Sequence, residues 1–128
     1  MSLKLILFIA AGGAIGAVGR YMLTVAVTQW TGGDFPYGTI LVNVLGSFLL
    51  GCLLTAIALD WSPSNELRSM IQVGVLGAFT TFSAFSMDAY QQLSRGDYVG
   101  AGLYIGLSVI ISILALITGV AVIRQLFA

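Results

Sequence analysis

Polar and apolar residues follow each other along this chain in long blocks rather than at the period of a soluble helix or strand. Uncharged stretches run from Leu5 to Gly19, Phe35 to Leu59, Ser69 to Met87 and Tyr98 to Ile123, with the charges gathered in short clusters between them. Two of these stretches exceed the ~20 residues that cross a hydrocarbon core at ~1.5 Å rise per residue. The first resumes after Arg20 and continues to Val27, and the third is long enough to enter a bilayer. The pattern predicts an all-α integral membrane protein, one domain over residues 1–128. Its four spanning helices fall at about 4–29, 38–59, 67–93 and 98–124. Thr31 to Tyr37, Asp60 to Arg68 and Arg95 to Asp97 supply the turns, with Ser64 or Asn65 placed to cap the third helix.

The third helix is the irregular one. Between Gly74 and Ser86 it carries two glycines, the adjacent pair Thr80 and Thr81, two serines and three phenylalanines. Glycine loosens a helix, and threonine competes for backbone hydrogen bonds with its own hydroxyl. A break near 77–81 is therefore expected. Non-helical backbone at membrane depth is tolerated only where protein buries it or where it lines a polar cavity, so the break marks a site for an ion or small solute.

Polar residues inside the other helices repeat at helical spacing. Thr39, Asn43 and Ser47 are four apart on the second helix, and Tyr104, Ser108 and Ser112 are four apart on the fourth. Each set forms a stripe on one face. Asn43 either glues two helices together or offers its amide N–H groups to a passing anion. Ser83 and Ser86 share a face beyond the break, as do Phe82 and Phe85, a pair whose spacing by itself reads as core or lipid-facing. Stripes on two helices and a polar break in a third outline a narrow, hydroxyl-rich path with no titratable group at its centre. On the first helix Gly12 and Gly16 form a G-x-x-x-G pair suited to close packing. Gly102 and Gly106 play the same part beside Tyr104. Arg20 serves either as an anion-attracting group near a mouth or as an interfacial arginine.

Composition narrows the chemistry. With 59% hydrophobic residues, 8% charged residues and a mean hydropathy of +1.03, the chain lies outside the range of soluble domains of its length. Histidine is absent and Cys52 is alone, which removes a histidine base, a disulfide framework and a multi-cysteine metal site together. No nucleophile and base pair suggests an enzyme. Zero net charge gives no electrostatic case for nucleic acid. Lys4, Arg68 and Arg124 fall on one side of a four-helix layout and Arg95 on the other, with Arg20 ambiguous, so the positive-inside signal is thin and either orientation is open.

Three separate motifs, in order, resemble the signature of the CrcB/Fluc fluoride-channel family: Gly12 to Tyr21 with Arg20; Gly38, Thr39, Val42, Asn43 and Gly46; and Gly74 to Ser86. The likeness covers essentially the whole chain. It departs at Ala84, where the family often has Thr or Ser, at Ala78, where Gly is common, and at Asp88, where Glu is usual. The resemblance implies passive fluoride export by a dual-topology homodimer, two antiparallel subunits in the inner membrane forming two pores. It implies a fluoride pathway of Asn43, Phe82, Phe85, Ser83, Ser108, Ser112, Tyr104 and Thr39, with Arg20 toward a vestibule. It also implies a structural sodium ion (Na+) at the dimer centre, held by the backbone carbonyls of Gly77 and Thr80. The fluoride ion, a second copy of the chain and the lipid bilayer are the expected partners. Two other classes compete. A small proton-coupled multidrug exporter needs a membrane-embedded carboxylate, for which only Asp88 is available, and a structural membrane subunit would use the stripes merely as helix glue.

Overall fold

A computed structural model describes residues 1–128, with helices from Leu3 to Phe127 and short connections between them. Helix α1 spans Leu3–Thr31 and α2 spans Tyr37–Ala58. Next come the short α3 (Asn65–Ser69), a π-helical segment (Met70–Leu76), the single turn α4 (Gly77–Phe79) and α5 (Phe82–Ser94). These four pieces make one apolar rod, Asn65–Ser94, interrupted at Thr80 and Thr81. Helix α6 (Tyr98–Phe127) completes four helices long and apolar enough to cross a membrane.

Local chemistry explains where they start and stop. Ser2, Ser64 and Asp97 each accept a hydrogen bond from a backbone N–H three residues on, satisfying a donor that the helix cannot. Gly32 closes α1 at φ +90°, a left-handed conformation that costs glycine little. The ends of the helices are thus written in single polar residues.

Packing proceeds in two pairs. Helix α2 lies principally against α6, and α1 lies against the π-helical segment and α4. Both contacts are backbone-to-backbone. A methyl placed on Gly51 would meet the Leu116 carbonyl, and one on Gly119 would meet the Phe48 carbonyl and the Cys52 nitrogen. Gly12 and Gly16 bring α1 equally close to Met70 and Val75. Within one chain Gly102 and Gly106 make no close approach: nothing lies within 4 Å of the space their side chains would fill. Those two glycines fall on a face of α6 turned away from α2, and Gly51 with Gly119 makes the contact instead.

Only 18 of the 128 residues are buried, so four helices enclose very little interior. Most leucines, isoleucines and valines of α1 and α6 face outward, as a lipid-bathed surface requires.

Gly51→Ala and Gly119→Ala are expected to destabilise the folded protein by about 1–3 kcal/mol each through overpacking. Gly102→Ala and Gly106→Ala should leave it unchanged or slightly more stable. Thermal unfolding in detergent measures the difference, and equal losses at all four positions would contradict this packing.

Candidate functional site

The break in the third rod is built from three side chains that redirect backbone hydrogen bonds. Thr80 (ψ 158°) and Thr81 (φ −152°, ψ 113°) are extended. In an unbroken helix the Thr81 N–H would go to the Gly77 carbonyl; here it goes to Asn43 Oδ1 at 2.7 Å. The Thr81 carbonyl in turn accepts from Asn43 Nδ2 at 3.1 Å. One amide side chain on α2 therefore satisfies both backbone groups of Thr81. The Ala84 N–H, which would otherwise go to the Thr80 carbonyl, is taken by Thr81 Oγ1 at 3.0 Å, and this cap starts α5. Arg20 on α1 donates from Nε to the Ala78 carbonyl at 3.0 Å. Diverting the two N–H groups releases the carbonyls of Gly77 and Thr80 from their helical donors.

Beside the break lies a groove of about 280 Å³ lined by ten residues, none of them ionisable. Asn43 and Ser47 come from α2, Thr80, Thr81, Phe82 and Phe85 from the break and α5, and Ser108 and Ser112 from α6. The stripes on α2 and α6 thus face one space. The Ser108 hydroxyl is buried there with no protein partner. Phe82 and Phe85 stand with centroids 5.4 Å apart and planes tilted by 57°. Phe82 is 78% exposed, so a single chain leaves the groove open on its side.

Thr39 and Tyr104 belong to the same stripes but not to the groove. Their hydroxyls both donate to Asp88 Oδ2, at 2.7 and 2.9 Å. Tyr104 is fully buried, its ring 5.3 Å from that of Phe85 and 5.7 Å, edge-on, from that of Phe35. This knot divides the groove from a second cavity of about 190 Å³, almost wholly polar, lined by Thr39 and Asp88 on the near side and by Gln92 and Arg95 beyond.

Of the residues expected along a path, the structure brings together Asn43, Phe82, Phe85, Ser108 and Ser112. Ser83 is exposed and absent from the groove lining, its hydroxyl 3.4 Å from that of Thr81, because the first turn of α5 carries it off the groove face. Arg20 lines neither cavity; its guanidinium is engaged at the break. Asp88, the one carboxylate available to the exporter reading, is half-buried and joins three helices. Ser47, part of the α2 stripe, and Thr81, part of the break, join the groove although the implied pathway omits them. Gln92 carries no signal in the sequence, and nothing there joins Asp88 to Thr39 across 49 positions.

Comparison with known proteins bears on this arrangement. Residues 7–120 match the model of the CrcB-like protein, Camphor Resistance (CrcB) family. A protein of Rhodospirillum centenum named fluoride-specific ion channel FluC is 44% identical over 126 residues, covering 98% of this chain and 100% of its own. Proteins of the same name from Rhizobium etli and Nitrobacter winogradskyi are 47% and 40% identical, covering 92% and 97% of this chain and 94% and 98% of theirs.

Asn43→Leu removes both hydrogen bonds to Thr81 and leaves its N–H and carbonyl bare. A loss of about 2–4 kcal/mol of stability is expected, together with faster hydrogen exchange at the Thr81 amide than in the parent. Unchanged exchange would show that the break does not depend on Asn43.

Proposed function

The chain belongs to the CrcB family, and on that premise we propose that it is a fluoride-specific ion channel, a multi-pass membrane protein rather than an enzyme, which lets fluoride leave the cytoplasm down its gradient. The observation that carries the reading is the groove: amide and hydroxyl groups on two helices, two aromatic rings on a third, and no ionisable side chain among them. Fluoride is small and holds its water tightly, so a path must replace that water at each step without binding so firmly that the ion stays. Neutral donors do this better than a fixed cation. Asn43 keeps one N–H free after bonding Thr81, Ser108 has a buried hydroxyl without a partner, and Ser112 lies one turn further along. Ring edges are electropositive, which suits Phe82 and Phe85 to an anion. The start of α5 at Phe82 adds the positive end of a helix dipole.

The functional unit in this reading is an antiparallel homodimer with two pores. Its support is the open side of the groove at Phe82, the small interior of one chain and the weak charge bias of the loops. A second copy laid across the groove would enclose it.

The same dimer would hold a structural sodium ion at its centre. The donor set fits: Thr81 and Ala84 give their N–H groups to Asn43 and to the Thr81 side chain, which frees the carbonyls of Gly77 and Thr80 for a hard cation. Carbonyls from both copies would supply the coordination, and the ion would neutralise a cluster of partial negative charge. Thr39 and Tyr104 stand at the far end of the path, where their hydroxyl hydrogens go to Asp88. An anion draws on them only in competition with that carboxylate.

Reporters fused to the C-terminus are expected to give signal on both sides of the membrane, and a single orientation in all molecules would rule out the antiparallel dimer.

Vesicles reconstituted with the protein, with a potassium ionophore present to dissipate voltage, should release fluoride but not chloride or a cationic dye. Dye release under a proton gradient would instead favour the exporter reading, with Asp88 as its carboxylate. Asn43→Asp should stop fluoride efflux by placing a negative charge in the groove, in a protein that still dimerises. Phe82→Ile should slow it about three- to tenfold by removing the aromatic edge at similar bulk. Replacing sodium by a large organic cation at constant ionic strength should abolish efflux reversibly. A dimeric Asn43→Asp protein that conducts like the parent would place the pore elsewhere.

A further inference from the structure

Gln92 is the least explained polar side chain in the chain. It is 2% exposed, and neither its Nε2 nor its Oε1 has a hydrogen-bond partner. A buried amide left this way carries a desolvation penalty that an apolar side chain of the same size would not. It lines the second, polar cavity, on the far side of the Asp88 knot from the groove. That cavity, at about 190 Å³, has room for about six waters at ~30 Å³ each.

We propose that this cavity is a hydration chamber for fluoride and that Gln92 is its specificity-determining donor, giving an Nε2–H to the ion beside Asp88; the inference rests on the fluoride reading of the groove. Asp88 and Gln92 are four apart on one face of α5, and Arg95, the residue that caps its C-terminus, follows three further on. A bare anion arriving at the knot meets a carboxylate that repels it. Arg95, the one cation among the lining residues, is exposed at the rim, a full turn beyond Gln92. Asp34, also exposed at the rim, opposes an anion as Asp88 does. Between repulsion at the knot and attraction at the rim, the amide of Gln92 is the one buried neutral donor of the lining that has no partner.

A cation would use the chamber differently, through Oε1 and the two carboxylates. Gln92 leaves both its N–H groups and its Oε1 without a partner, while Asp88 Oδ2 already accepts two hydroxyl hydrogens, so the anion follows from the fluoride reading of the groove and the Gln92→Glu variant separates it from a cation. The other side-chain donors lining the chamber differ from it: the Thr24 hydroxyl gives its hydrogen to the backbone of α1, and Thr28 and Gln91 are exposed to solvent.

The test uses Gln92→Met and Gln92→Glu in the reconstituted dimer, each beside the parent. Fluoride efflux is measured over a range of fluoride concentrations, and unfolding temperature is measured in parallel. Gln92→Met is expected to lower efflux about tenfold, the loss of one hydrogen bond to an ion. It should raise the half-saturating fluoride concentration and leave the unfolding temperature equal or higher. Gln92→Glu, which keeps the shape but adds a negative charge, should lower efflux further. A parent that conducts fluoride with Gln92→Met indistinguishable from it overturns the role of Gln92 alone. Gln92→Glu conducting as well as the parent also overturns it and marks the chamber as a cation site. Should Gln92→Met fail to fold, Gln92→Glu decides by itself. A parent that does not release fluoride removes the reading of the groove and this inference with it.

Discussion

A backbone N–H or C=O left bare inside a hydrocarbon layer costs on the order of several kcal/mol, and a helix avoids that cost by pairing every group within itself. At Thr80 and Thr81 this chain gives up the pairing, and the surrounding architecture compensates. Asn43 reaches across from α2 to hold both backbone groups of Thr81, Arg20 reaches from α1 to the Ala78 carbonyl, and the Thr81 hydroxyl caps α5. For these side chains to arrive, α2 and α1 must both approach the third rod closely. Gly46, where a methyl would meet the Thr80 side chain, and Gly12 and Gly16 meet that condition. The break and the packing are one solution, since neither would be stable without the other.

Once the rod is broken, its two halves do different work. The upstream half, through the π-helical segment and α4, is the part that α1 grips. The downstream half, α5, begins at the groove with Phe82, passes Phe85, Asp88 and Gln92 in turn, and is capped by Arg95. A single helix thereby runs from an uncharged groove, past a carboxylate, into a polar chamber, and out to a cation. The stripes on α2 and α6 accompany it. Asn43 and Ser47 lie at the groove and Thr39 at the knot, while Ser108 and Ser112 lie at the groove and Tyr104 at the knot. What looked like one continuous polar path is a groove and a chamber separated by three hydrogen-bonded side chains.

The four spans, their approximate limits and the location of the irregular backbone are legible in the sequence because each depends on local chemistry: apolar length, the charges that end a span, and the adjacent Thr80 and Thr81, whose hydroxyls compete for backbone hydrogen bonds. The two polar stripes are legible for the same reason, since residues four apart must share a helical face. Tertiary structure alone decided which partner each polar residue meets. Asn43 could have been helix glue or an ion donor; in the fold its carbonyl end and one N–H brace the break and the other N–H remains. Asp88 lies at the end of an uncharged stretch, and nothing in its position shows that Thr39 and Tyr104 close on it from two other helices. Gln92 gave no signal at all, because burial without a partner is a property of the space around a side chain. Periodicity fixes the face on which a residue sits, but the distance between faces is set by where the glycines let the backbones meet, and that is a sum over the whole fold.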